Sequence, residues 1–176
     1  MGIAAHFRKN IMYIACEKEL NGIFTIKEFG DGQGVFALKD IPEKTILMRV
    51  KGETMNFAST KLLGEKEDYT LQVDRDTYIL TKPPFCFVNH CCQPNSALDE
   101  DLFLYTIKAV KAGDQLCWDY STSMMERSWT MNCHCGSPEC RVLIEDFDKL
   151  PAGLQNKYIS EGLVLPFILR LLKKVV

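Results

Sequence analysis

Three cysteines packed into eight residues, Cys133-His134-Cys135-Gly136-Ser137-Pro138-Glu139-Cys140, form a thiol knuckle of spacing C-x-C-x4-C. Exposed clustered thiols are a chemical liability, and closely spaced thiolates are what tetrahedral zinc takes as ligands. Zinc wants a fourth donor, and no cysteine follows Cys140. His134 lies between two of the thiols and is expected to point away, which leaves Cys92 or Cys91 from an upstream turn. That turn is the second chemical stretch, Asn89-His90-Cys91-Cys92-Gln93-Pro94-Asn95, with two amides flanking an imidazole and two thiols. Pro94 cannot continue a strand, so the stretch reads as a stiff polar turn after the apolar Phe85-Cys86-Phe87-Val88. Its Asn and His side chains serve either local backbone or a ligand.

Around these stretches, 176 residues with 47% hydrophobic content suit one core. A formal charge of -2 argues against non-specific nucleic-acid binding through counterion release. Eight cysteines without an apolar leader favour metal ligation over a disulfide scaffold and an intracellular setting. Cys16, Cys86 and Cys117 stand singly among apolar neighbours and read as buried, inert thiols. No apolar run reaches membrane-span length.

The positioning elements are short. Residues 12–16, 23–29, 45–50, 69–73, 77–80, 102–110 and 115–118 carry the β-branched and aromatic composition of strands. Gly30-Asp31-Gly32-Gln33-Gly34 reads as a turn that lets backbone or ligand approach closely. It precedes a strand rather than a helix, which argues against a dinucleotide fingerprint. Residues 59–66 suggest a short helix capped by Ser59, and residues 152–160 a helix entered through Pro151 and stopped by Gly162. The apolar residues 163–175 read as a closing helix.

In this order the motifs resemble the SET-domain protein lysine methyltransferases with a cysteine-rich post-SET segment. Gly32-Gln33-Gly34-Val35-Phe36-Ala37 resembles the first family motif, and Asn89 to Asn95 the N-H-x-C-x-P-N signature. Gly113-Asp114-Gln115-Leu116-Cys117-Trp118-Asp119-Tyr120 is similar to G-E-x-L-x-x-D-Y, and residues 133–141 to the post-SET C-x-C-G-x3-C-R. The likeness covers residues 24–143. It implies a mostly β fold of small sheets with short helices, a pseudoknot, a zinc-bound post-SET segment and a C-terminal helical tail. The corresponding division is an N-terminal flank at 1–21, a SET domain at 22–122, a post-SET segment at 123–143 and a helical extension at 144–176.

The resemblance implies one structural zinc on Cys92, Cys133, Cys135 and Cys140, and S-adenosylmethionine against Gly32, Gln33 and Gly34, with Asn89, His90 and Tyr120 contacting it. Tyr120 is the position of the family's catalytic tyrosine, Tyr69 of a second channel tyrosine, and Trp118 of the residue that limits the number of methyl groups. Cys86 departs from the polar residue that the family often places there. The implied reaction is methyl transfer to a deprotonated lysine in an aromatic channel, on a protein or peptide such as a histone tail, without reading DNA sequence. The alternative is a SET-like module that keeps zinc and fold for protein interaction and has lost catalysis. Short members of the resembled family also occur in bacteria, so nucleus, cytoplasm and host cell all stand as compartments, and no oligomeric state follows.

Overall fold

The computed structural model of the protein describes residues 22–30, 32–126 and 129–173. Strands β1 (Phe24–Phe29) and β2 (Gly32–Ala37) are followed by β3 (Ile46–Arg49), β4 (Gly52–Met55) and the one-turn helix α1 (Phe57–Thr60). A 3-10 turn at Gly64–Tyr69 leads to β5 (Thr70–Asp74) and β6 (Thr77–Thr81), then to β7 (Asn89–His90), β8 (Ser96–Leu98), β9 (Phe103–Thr106) and β10 (Gln115–Trp118). A further 3-10 turn, Tyr120–Ser123, precedes β11 (Met131–Asn132) and β12 (Leu143–Ile144), and the helices α2 (Ala152–Ser160) and α3 (Pro166–Leu172) end the described chain.

Among the described residues these strands form small separate sheets in the orders β1-β2-β10-β7, β3-β9-β8, β4-β6-β5 and β11-β12. The mostly β class with short helices is therefore observed. The expected strand at residues 12–16, with Cys16, lies outside the described residues.

The differences from expectation have local causes. Gly32, Gln33 and Gly34 are not turn residues; the reversal takes place at Gly30, whose φ is 57°, and β2 begins at Gly32. Two residues of the polar stretch, Asn89 and His90, do form a strand, because β10 offers them a parallel edge with Asn89 beside Cys117 and His90 beside Trp118. Helix α1 starts earlier than expected because Asn56, not Ser59, is its cap: the Asn56 Oδ1 accepts the Ser59 N–H at 2.9 Å. Residues 163–165 are buried and outside any helix, and the last helix waits for Pro166, which occupies its first turn.

The core gathers where the sheets face the C-terminal segment. Val35, Leu104 and Leu116 share one buried cluster with Phe147, Phe167 and Ile168. At roughly 1.5–3 kcal/mol for each fully buried large apolar side chain, the tail is a substantial part of the fold's stability. Cys117 is buried as expected, while Cys86 is only half-buried and lines a cavity. A satellite cluster of Cys92, Cys133 and Ile144 sits apart from the main core.

Candidate active site and metal centre

The metal centre is built by two distant segments. The hairpin β11–β12 carries Cys133, Cys135 and Cys140 in its connection, with Gly136 at φ 73° allowing the sharp return. Val142 O accepts the Cys133 N–H at 2.6 Å and closes that loop. The turn after β7 supplies Cys92, and the sulfurs of Cys92, Cys133, Cys135 and Cys140 all lie within 4.8 Å of one another. Cys92 Sγ to Cys133 Sγ is 3.9 Å, close to the edge of about 3.8 Å that a ZnS4 tetrahedron with 2.3 Å bonds would have. Burial pushes the Cys92 thiol up to about 11 and raises that of Cys133 as well. Two of the four thiols, Cys92 and Cys133, are buried while Cys135 and Cys140 are half-buried, and a dication that displaces the buried protons compensates that burial. The donor set fits a tetrahedral thiophilic metal. Cys91 faces Cys117 and accepts the Gln93 N–H at 3.4 Å, and His134 is exposed outside the cluster.

Next to the cluster, His90 joins the metal turn to Tyr120. Its Nδ1 accepts the Tyr120 N–H at 3.2 Å, and its Nε2 lies 3.3 Å from Cys92 Sγ. Burial holds the imidazole neutral, with its pKa lowered to about 4. An Nδ1 that accepts leaves the proton on Nε2, which therefore donates toward the Cys92 sulfur, a support common behind metal ligands. The ring is thus committed to Cys92 and Tyr120.

The glycine strand and the signature stretch are brought together through Asn89, whose Nδ2 donates to the Gln33 carbonyl at 2.8 Å. Gly34 has no room for a side chain: a Cβ there would collide with the Gln115 amide and come within 2.9 Å of the Phe36 ring and 3.3 Å of Asn89 Nδ2. Gln115 Nε2 is buried with no hydrogen-bond partner among the described residues, a donor that a ligand oxygen beside Gly34 would satisfy. Gly34→Ala is expected to destabilise the protein by about 1–3 kcal/mol through overpacking and to weaken binding of S-adenosylmethionine, read by thermal melting and titration. Unchanged cofactor affinity in a folded Gly34→Ala would remove this strand from the cofactor site.

Tyr120 opens the 3-10 turn after β10. Its hydroxyl donates to the Val88 carbonyl at 3.0 Å, and its ring meets Trp118 at 5.0 Å and His90 at 5.3 Å between centroids. Tyr120 also lines a cavity of about 70 Å³, hereafter the slot. Tyr69, Tyr78, Phe85, Cys86, Val88 and Trp118 line this slot, and Glu67, Asp68 and Glu126 are its acids. Trp118 is buried against Phe85 at 5.8 Å, so it is at once core and cavity wall. Trp129 stacks toward Tyr120 and donates its Nε1–H to Asp68 Oδ1 at 3.0 Å, tying the rim together. Tyr69 is held by its carbonyl, which accepts the Thr81 hydroxyl at 2.7 Å.

Sequence reasoning passed over Asp119 and Arg141. The Arg141 guanidinium forks onto the buried Asp119 carboxylate at 2.6 and 2.7 Å, and its backbone N–H points to Cys92 Sγ at 3.3 Å. Asp119 Oδ1 also accepts the Ser121 N–H at 3.1 Å and so caps the turn that begins with Tyr120. The signal was present: an acid directly before Tyr120 and a base directly after Cys140, each inside a motif.

Compared with known families, residues 32–121 match the SET domain. The chain is 32% identical over 152 residues to Histone-lysine N-methyltransferase ash1 of Drosophila melanogaster, covering 75% of this chain and 7% of that protein. It is 23% identical over 137 residues to Histone-lysine N-methyltransferase trr of the same organism, covering 69% of this chain and 6% of that protein. With Histone-lysine N-methyltransferase SUVR4 of Arabidopsis thaliana it shares 24% over 166 residues, 74% of this chain and 32% of that one. The chain thus spans only a small part of the length of these curated relatives. The matched residues run from the first residue of β2 to the turn that carries Tyr120, through the paired β7 and β10. By that match, which takes in more than half of its length, the chain belongs to the SET domain family.

Proposed function

We propose that the protein is a lysine methyltransferase that moves a methyl group from S-adenosylmethionine to the ε-nitrogen of a lysine in a protein or peptide. The observation that carries the reading is Tyr120 in the wall of an aromatic slot, with its hydroxyl proton given to the Val88 carbonyl. That bond leaves the tyrosine oxygen with lone pairs to accept an N–H of an incoming amine, which turns the nitrogen lone pair along the slot. Positioning of this kind accounts for large rate factors when the reacting groups are held in line.

The amine must also be neutral, whereas a lysine ammonium titrates near 10.4 in water. Asp68 is exposed, Glu126 is half-buried and Glu67 is half-buried and paired with Lys61, so the acids among the lining favour a cationic side chain. The same cavity is lined by Phe85, Trp118 and Tyr120, against which poor solvation favours loss of the proton. Trp118 stands where bulk limits how many methyl groups the slot admits. Glycines 32 and 34 with Gln33, Asn89, Gln115 and the backbone of His90 would hold the cofactor, which when bound supplies an electrophilic methyl on a sulfonium. Cys92, Cys133, Cys135 and Cys140 would hold one zinc ion as a structural clamp, with 22–122 as the catalytic body, 123–143 as the clamped segment and 144–176 as its support.

The methyltransferase names of the relatives add to this reading and make a histone tail the first substrate to try. A module kept for interaction alone is disfavoured, because binding needs neither the Tyr120–Val88 bond nor the slot beside it. No described helix is long and apolar enough to cross a membrane. The test is incubation with methyl-labelled S-adenosylmethionine, core histones and a cell lysate. Label on a discrete protein band supports the proposal. A protein that neither binds the cofactor nor labels any band contradicts it.

A further inference from the structure

The C-terminal extension reaches the candidate catalytic turn through one buried hydroxyl. Tyr158, in α2, is 3% exposed and donates its phenolic O–H to Asp119 Oδ2 at 2.9 Å across 39 residues of sequence. The same oxygen accepts Arg141 Nη1 at 2.6 Å, while Oδ1 accepts Arg141 Nη2 and the Ser121 N–H. Around this carboxylate the extension makes further attachments, among them the Ser121 hydroxyl donating to the Glu145 carbonyl at 2.6 Å. Phe147 N–H bonds the Met124 carbonyl at 2.9 Å, and Leu165 N–H bonds the Thr122 carbonyl at 3.1 Å. The turn Tyr120–Ser123 is therefore gripped from β10 on one side and from residues 144–165 on the other.

We infer that Tyr158 is a positioning residue for Tyr120: its hydroxyl fixes the rotamer of Asp119, Asp119 caps the turn, and the turn sets where the Tyr120 oxygen stands in the slot. Without that hydroxyl the carboxylate keeps the arginine fork and the Ser121 N–H but loses the donor on Oδ2 that opposes Arg141, so its orientation is less tightly set. A charge-assisted bond of this length is among the stronger side-chain interactions, and its loss is felt by whatever the carboxylate orients. The inference rests on the methyltransferase reading and assigns the extension a part in the reaction in addition to its place in the core.

The test compares Tyr158→Phe, which keeps the ring and removes only the hydroxyl, with Gln155→Ala in the same helix, where Gln155 Nε2 donates to carbonyls of the extension, Leu150 at 2.7 Å and Asp148 at 3.4 Å. On a labelled protein substrate, Tyr158→Phe is expected to lower kcat about five- to tenfold with the KM values for substrate and cofactor within about twofold, whereas Gln155→Ala leaves kcat unchanged. In a Tyr120→Phe background, Tyr158→Phe should cost almost nothing further, because both changes act on the same oxygen. Should Tyr158→Phe fail to fold, Arg141→Lys loosens the same carboxylate and must show the same loss confined to kcat. An unchanged kcat in Tyr158→Phe overturns the inference and leaves the methyltransferase reading standing. An equal loss in Gln155→Ala, or a full additive loss on top of Tyr120→Phe, overturns it in the same way. Absence of transfer by the unaltered protein overturns both.

Discussion

Tyr120→Phe is expected to lower kcat by about 100- to 1000-fold, the range lost when one oriented hydrogen-bonding group is removed from a reacting centre. The ring stays, so its contacts with Trp118, His90 and Trp129 survive. What disappears is the bond to the Val88 carbonyl and the oxygen that orients the amine. The stability cost of one such bond is about 1 kcal/mol, far too little to unfold a domain. Melting temperature and cofactor affinity should therefore change little while turnover collapses. A Tyr120→Phe protein that retained a tenth or more of its activity would show that the hydroxyl does not place the amine.

Removal of the metal should have the second large effect, by a different route. Chelation at neutral pH is expected to abolish transfer and to lower the melting temperature, with zinc restoring both. Metal analysis of the purified protein should give about one zinc per chain. The main core does not contain the thiol cluster, so the damage should be local, at residues 129–145 and the turn after β7. Activity nevertheless goes with it. Cys92 anchors the His90 ring that receives the Tyr120 N–H, and Arg141 follows Cys140 directly and holds Asp119. Because the ligands must shed protons to bind, and burial already raises Cys92 to about 11, affinity falls as pH falls. Acidification should thus release the metal before the body unfolds. A chelated protein that keeps its melting temperature and its turnover would sink the idea of a structural metal.

Much of this was legible in the sequence because it is local. The spacing Cys133, Cys135, Cys140 announces a metal from three residues alone, and turns such as Gly162 and Pro151 mark the bounds of α2 where they stand. What escaped is non-local. Asn89 and His90 are a strand only because Cys117 and Trp118 pair with them in parallel, a partner more than 25 residues away that no periodicity of the polar stretch foretells. Asp119, Arg141 and Tyr158 look like solvent-facing residues in isolation, and their hydrogen bonds to one another follow from three segments meeting. The start of α3 is hidden by composition, because residues 163–165 are as apolar as the helix after them, and Pro166 is the better marker.

Lysine methyl transfer through Tyr120 is tested most sharply by identifying the methylated amino acid. After transfer from methyl-labelled S-adenosylmethionine, the labelled protein is hydrolysed and its amino acids are separated, beside the same reaction with Tyr120→Phe. Label is expected in ε-N-methyllysine, and it should be nearly absent with the variant. Label in arginine, histidine or a terminal amine, or methyllysine formed equally well by Tyr120→Phe, would contradict a tyrosine-directed lysine methyltransferase.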